Sequence, residues 1–241
     1  MILAGRGHTA PRQAKLPVMG RFDRGVLSSL FGCAAVGLGV LLVAWPGAAQ
    51  ANKGAPLPIA PLPLSIAVAT EPTDDGEHRA VDDAWLDAQV AAAEALFGPH
   101  GVHFVKAAAR PLAGRFARLE TRADRDALSK ELAKGVVNVF VVASLRDVDD
   151  PSRLRMGVHW RPKGDERKHY VIVAASAQPT TLAHELGHFF GNGHSKVRDN
   201  LMSYDRSGAE VFLDADQVRR IQSFARIYVR SRELLPVTPP P

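Results

Sequence analysis

Three histidines and one glutamate fall within eleven consecutive residues of this 241-residue chain, between His184 and His194. Side chains four positions apart lie on the same face of an α-helix, so His184 and His188 place two imidazoles side by side. Gly191 lets the chain leave the helix through a backbone conformation that a Cβ atom would disfavour, and His194 follows three residues later. The segment therefore predicts a metal site on a helix that ends at Gly191.

The number of histidines indicates a catalytic rather than a structural metal. Structural zinc is usually closed by four protein ligands, often thiolates, whereas three histidines leave one position open for water. The only cysteine, Cys33, lies in an apolar run near the N-terminus. Glu185 follows the first histidine, where its carboxylate can accept a proton from a metal-bound water. Imidazole also suits copper, iron and nickel, but zinc favours hydrolysis at neutral pH without redox side reactions.

The same segment resembles a known family. HELGHFFGNGH matches the metzincin pattern HExxHxxGxxH at every specified position. Met202 stands eight residues after His194, in the sequence NLMSY, which resembles the Met-turn that lies beneath the metal in metzincins. Ser195 and the histidine spacing resemble the matrixins, whereas the MSY segment with Tyr204 is more similar to the serralysins and astacins. The features are thus mixed between subfamilies.

The resemblance implies a zinc-dependent endopeptidase. The three histidines would bind one catalytic zinc ion, and Glu185 would act as general base and then as general acid. Met202 would form a hydrophobic floor, and Tyr204 would approach the metal and stabilise the oxyanion. The implied partner is a protein or peptide substrate that lies extended along an antiparallel edge strand, which we place within Met156 to Trp160.

Two other functions stay open at this point. One is a non-catalytic zinc-binding module that holds a peptide in the same cleft. The other is a metal-dependent hydrolase of a non-peptide amide. Glu185 favours the enzyme, because degenerate zinc-binding relatives commonly lose this glutamate.

Additional metals are conceivable at two places. His159 and His169 flank a predicted hairpin and could hold a second zinc ion, but their basic neighbours favour a solvated face. A short acidic run ending at Pro151 could bind structural calcium, but such a loop is more typical of a plain turn. This run contains Asp147, Asp149 and Asp150.

Residues 1–51 have the pattern of an export signal. Basic residues up to Arg24 precede an apolar run from Val26 to Trp45, and small residues continue through Ala51. Cleavage after Ala49 or Ala51 would give a secreted or periplasmic protein. The alternative is an uncleaved membrane anchor over residues 26–45, the only case in which we expect a membrane partner.

Most of the net charge of +5 belongs to this leader, which holds five basic residues and one acidic residue. The rest of the chain has 25 basic and 24 acidic residues. Affinity for nucleic acid depends on clustered positive charge, so we expect no nucleic-acid partner. No disulfide can form within the domain, and packing must stabilise it. We assume a monomer.

The alternation of strand and helix patterns, taken with the resemblance, predicts an α+β, metzincin-like fold. It would contain a twisted, mostly parallel sheet with one antiparallel edge strand, an active-site helix whose first amides a threonine hydroxyl can cap, and a C-terminal helix. We expect a proline-rich linker at 52–63, one zinc-peptidase domain at 64–235 and a loose tail at 236–241. The predicted strands are 64–70, 102–107, 136–143, 156–160 and 170–174. The predicted helices are 82–97, 124–134, one that begins near 178–181 and ends at 191, and 214–230.

Overall fold

A computed structural model of the chain describes residues 58–165 and 167–237. The predicted leader and the first part of the predicted linker lie outside these residues, as do residues 238–241. The described strands are β1 (Leu62–Thr73), β2 (Gly76–Arg79), β3 (Phe104–Lys106), β4 (Arg110–Leu112), β5 (Arg118–Leu119), β6 (Val137–Val142), β7 (Ser144–Leu145), β8 (Gly157–Trp160) and β9 (Tyr170–Ala174). The α-helices are α1 (Asp83–Phe97), α2 (Arg122–Ala127), α3 (Thr181–Phe189) and α4 (Ala215–Arg230).

One sheet organises the fold, with the strand order β2-β1-β6-β9-β8. Strands β1, β6 and β9 run parallel, and β8 pairs antiparallel with β9 at the edge. This confirms the predicted α+β fold with a mostly parallel sheet and an antiparallel edge strand. The sheet also has parts that we did not predict: β2 forms an antiparallel hairpin with the end of β1, and β4 pairs parallel with β1. A small separate sheet joins β5 and β7.

Both faces of the central strands are covered. Every residue of β6 is buried, as expected for a parallel strand between two layers. Helices α1, α3 and α4 contribute to the hydrophobic cluster on one face of the sheet. The other cluster includes Phe116, Leu119 and Leu128 around α2, with Tyr170 of β9. The segment with the three histidines therefore lies on the face covered by three helices.

The start of α3 differs from the prediction. Thr180 makes no side-chain cap hydrogen bond. Instead Gln89 of α1, which is buried, accepts from the backbone N–H of Leu182 at 3.0 Å and donates to the carbonyl of Gln178 at 2.8 Å. Free amides at a helix start need a partner, and here a distant side chain supplies it. Gln89 thereby fixes α3 against α1.

The predicted helix 124–134 is also wrong in its limits. Thr121 and Asp124 form a capping box, so α2 begins earlier, at Arg122. The helix then tightens into a 3-10 turn that ends at Glu131. Among the described residues, no helix has the length and apolar character needed to cross a membrane.

Candidate active site

The three histidines of the motif meet at one point. His184 and His188 lie one turn apart on α3, with their Nε2 atoms 3.1 Å from each other. Gly191 has a φ of 85° and ends the helix, and a Cβ atom there would come within 2.6 Å of the Phe224 ring. The chain then brings the Nε2 atom of His194 to 3.1 Å from that of His188. All three ligand atoms lie within 4.8 Å of one another.

A hydrogen bond at the Nδ1 atom determines the tautomer of His184 and of His188. The Nδ1 atom of His184 lies 2.7 Å from the carbonyl oxygen of Leu201, and that of His188 lies 2.7 Å from the carbonyl oxygen of Asn192. A carbonyl only accepts, so each Nδ1 donates and each Nε2 keeps its lone pair. Such carbonyl partners are typical of metal-binding histidines. Unprotonated Nε2 atoms therefore face one another at the centre of the cluster.

This donor set fits a zinc ion. Zinc–nitrogen bonds of about 2.0–2.1 Å in tetrahedral geometry place ligand nitrogens about 3.4 Å apart, close to the two separations of 3.1 Å. Burial lowers the pKa of His184 to about 4, and it also lowers the pKa values of His188 and His194. The rings are therefore neutral near pH 7, which is the form that binds a metal.

Glu185 is buried between α3 and the edge strand. Burial raises the pKa of its carboxyl to about 8, and the backbone N–H of His159 and the charge of Arg155 oppose this shift. Gly157 of β8 lies so close that a Cβ atom would meet the Glu185 Oε1 atom at 2.9 Å. The edge strand thus passes directly beside the carboxyl group.

Met202 lies fully buried against the underside of α3. A Cβ atom on Gly187 would overlap the Met202 sulfur, so glycine is needed for this close approach. The turn is held by Asn200, whose Oδ1 accepts from the Met202 backbone N–H and from the Gln217 amide, both at 2.9 Å. The Asn200 amide in turn donates to the Gln217 Oε1 at 2.8 Å. The sequence analysis missed this pair, although Asn200 stands inside the motif that it singled out.

Tyr204 reaches the cluster from the loop after Met202. Its hydroxyl lies 2.7 Å from the Nε2 atom of His194, and its side chain is exposed. In the tautomer of His194 that leaves Nε2 unprotonated, which is the form that binds a metal, the hydroxyl donates to this atom. Tyr204, Glu185 and the histidines His188 and His194 all line one cleft of about 670 Å³, and β8 forms its wall.

His159 and His169 do not form the solvated face that we predicted. His169 is buried, and its ring stacks on Phe189 at 4.1 Å between centroids. Its Nδ1 atom bonds to the Nε2 atom of His159 at 2.8 Å, and its Nε2 atom bonds to Glu233 at 2.5 Å. Both rings are used in packing and hydrogen bonding, which the basic neighbours in the sequence did not indicate.

The acidic run before Pro151 forms a turn, as predicted. Asp147 accepts from the backbone N–H groups of Asp149 at 2.9 Å and of Asp150 at 3.4 Å. Its other carboxylate oxygen binds Arg155.

Solved structures of other proteins have a fold similar to that of this chain. Promirolysin of Tannerella forsythia, a metalloproteinase solved as a mutant, aligns over 75% of this chain and 88% of its own, with a TM-score of 0.52 and 13% identity. The chain shares the fold of promirolysin. This confirms the fold that the sequence resemblance implies.

A second structural match is metalloproteinase-II of Bacteroides fragilis. It has a TM-score of 0.45 and 14% identity, and the alignment covers 69% of this chain. This chain spans 53% of the Bacteroides protein. No family model and no curated protein matches the sequence.

Proposed function

We propose that the chain is a zinc-dependent endopeptidase. The observation that carries the proposal is the convergence of three histidine Nε2 atoms in a cleft that also contains the buried Glu185 carboxyl group. A cluster of neutral imidazoles beside a carboxyl group of raised pKa is suited to metal-assisted hydrolysis. The cleft is open to an extended polypeptide, because its wall is the edge strand β8.

His184, His188 and His194 would hold one zinc ion. When bound, zinc supplies a Lewis acid that polarises the scissile carbonyl and lowers the pKa of water. The carbonyl groups of Leu201 and Asn192 would accept hydrogen bonds from the Nδ1 atoms of His184 and His188 and so keep both imidazoles oriented.

Glu185 would accept the proton of the attacking water and pass it to the leaving amine. A group that serves first as base and then as acid works best when its pKa lies near the working pH. Burial provides this by raising the pKa of Glu185 to about 8. The His159 backbone N–H would hold the carboxyl group in place during both transfers.

The substrate would lie along β8 by strand addition, which supplies main-chain hydrogen bonds whatever its side chains. Among the described residues, β8 pairs only with β9, so its other edge is free for a peptide. Tyr204 would donate a hydrogen bond to the oxyanion, since its hydroxyl already lies 2.7 Å from the His194 Nε2 atom. The export pattern of residues 1–51 supports action outside the cytoplasm.

The test compares the full chain with Glu185→Gln, which keeps the shape of the side chain but cannot accept the proton. Both proteins are loaded with zinc, their metal content is measured, and their cleavage of unfolded casein and of a random peptide library is followed. We expect about one zinc ion per chain in both and cleavage by the wild type alone. Equal zinc content with no difference in cleavage would contradict the enzyme and favour a zinc-binding module that only holds peptides.

A further inference from the structure

The cleft beside the histidine cluster is rich in arginine. Five arginines line it, against three carboxyl-bearing side chains. They come from α2, from the segment around β8 and from α4, so distant parts of the chain bring positive charge to one place. The arginines are Arg122, Arg125, Arg155, Arg161 and Arg220, and the carboxyl groups are those of Asp147, Asp149 and Glu185.

The carboxyl groups offset only part of this charge. The Asp147 carboxylate is nearly buried, and its Oδ2 atom accepts a hydrogen bond from the Nε atom of Arg155 at 2.7 Å and lies 2.6 Å from a terminal nitrogen of the same guanidinium. Asp149 pairs with Arg122 at 2.5 Å, and both of these side chains are exposed. Even with Glu185 ionised, three negative charges face five positive ones in the cleft. The cleft therefore keeps a positive excess.

Arg155 is held by a carboxylate in the cleft that contains the reacting groups. Asp147 binds its Nε atom and one terminal nitrogen, so the guanidinium is held in place while its side chain remains half exposed. Arg155 shares this cleft with Tyr204, Glu185 and His194. Arg155 is thus a fixed cation beside the position of the scissile bond.

Two further arginines of the cleft, Arg122 and Arg125, belong to α2. Arg125 is only 3% exposed, and its guanidinium lies 4.8 Å from the centre of the Trp160 ring. Among the described residues its Nε atom has no hydrogen-bond partner. Arg122 lies 5.7 Å from the same ring. A guanidinium in such a dry place is weakly screened, and its field extends into the cleft.

We propose that the cleft selects peptides with acidic side chains beside the scissile bond, and that Arg155 binds the carboxylate. This inference rests on the proposed peptidase function. Side chains of a peptide added to β8 point alternately to the two sides of the strand. Arg155, Arg122 and Trp160 all line the cleft that would receive them. Guanidinium groups bind carboxylates through charge-assisted, directional hydrogen bonds. Arg155 is therefore a specificity-determining residue.

The experiment uses matched peptides that carry Glu or Gln at the positions next to the cleaved bond. The zinc-loaded full chain should cleave the Glu peptide with a kcat/KM about tenfold higher, as expected for one hydrogen bond to a charged group. Added salt should reduce this ratio. Arg155→Gln should bring the ratio close to one, and Arg155→Lys should keep part of it. The control is Arg115→Gln, at an exposed arginine outside the cleft, which should leave the ratio unchanged.

Binding gives a second readout that needs no catalysis. Fluorescence anisotropy of the two peptides with metal-free Glu185→Gln protein should show tighter binding of the Glu peptide, and Arg155→Gln should remove the difference. Equal cleavage of both peptides by the wild type would overturn the inference while the peptidase function stands. An equal loss of both cleavage rates in Arg155→Gln would overturn it too, because Arg155 would then act on the oxyanion. If neither peptide is cleaved, the proposed function fails. If the Glu and Gln peptides bind equally in the anisotropy measurement, the inference is overturned.

Discussion

Gly157 sets the distance between the edge strand and the catalytic helix, so Gly157→Ala should affect catalysis more than folding. A Cβ atom there would lie 2.8 Å from Thr181 Cγ2 and 2.9 Å from both Glu185 Cγ and Glu185 Oε1. Ordinary contacts begin near 3.4 Å, so neighbouring atoms must move by about 0.5 Å. Threonine is stiff about χ1, and the flexible Glu185 side chain should therefore move most.

We expect a small effect of Gly157→Ala on stability and a larger effect on catalysis. Alanine in a strand gains about 0.5–1 kcal/mol of stability over glycine, whereas overpacking costs about 1–3 kcal/mol. The free energy of unfolding should therefore fall by only about 1–2 kcal/mol in the Gly157→Ala protein. Displacement of Glu185 by part of an ångström should lower kcat/KM about 10- to 100-fold, because proton transfer depends steeply on geometry.

The assay measures kcat/KM on a quenched peptide, zinc content and urea unfolding in parallel. Gly193→Ala is the matched control, since a Cβ atom there meets nothing within 4 Å. Adding Thr181→Ser to Gly157→Ala removes one of the three close contacts and should restore part of the stability. Wild-type kcat/KM in Gly157→Ala, or a loss explained wholly by lost zinc, would refute the reasoning.

Three further predictions follow from the same site. In the metal-free protein the native pKa of Glu185 is about 8, whereas the ordinary value is 4.5. Between these two pH values the native state binds a proton that the unfolded state has released. The free energy of unfolding therefore falls as the pH rises to about 8. Urea unfolding at pH 5 and pH 9 should show a loss of several kcal/mol, up to about 4, that is absent in Glu185→Gln. Asn200→Ala should lower the free energy of unfolding by about 2–3 kcal/mol, because the Gln217 amide loses its partner, and thermal unfolding would detect this. Tyr204→Phe should lower kcat by about tenfold or more with KM unchanged, as initial rates would show, whereas a rise in KM alone would indicate a role in substrate binding.

Local signals in the sequence predicted much of the fold. Asp82 and Asp214 stand directly before α1 and α4 and cap both helices, so these elements begin where the sequence indicates. The β-branched run in β6 is buried as expected. The helix of the histidine motif was also predictable, since the spacing of its side chains and the glycine at its end are properties of one short segment.

Contacts between distant residues account for what the sequence analysis missed. Gln89 caps α3 across 93 positions, and His169 binds Glu233 across 64 positions. Buried polar pairs of this kind leave no periodic pattern, because each partner alone resembles an ordinary surface residue. The hairpin strand β2 was missed because all of its residues are exposed and no hydrophobic alternation marks it.

Peptide cleavage should depend on one zinc ion held by the three histidines. The most direct measurement is the rate of casein cleavage while the metal-free full chain is titrated with zinc. The structure predicts no cleavage before zinc is added, a linear rise, and saturation at one zinc ion per chain, with no rise for His194→Ala. Cleavage that is independent of zinc, or zinc binding at one equivalent without cleavage, would contradict the account.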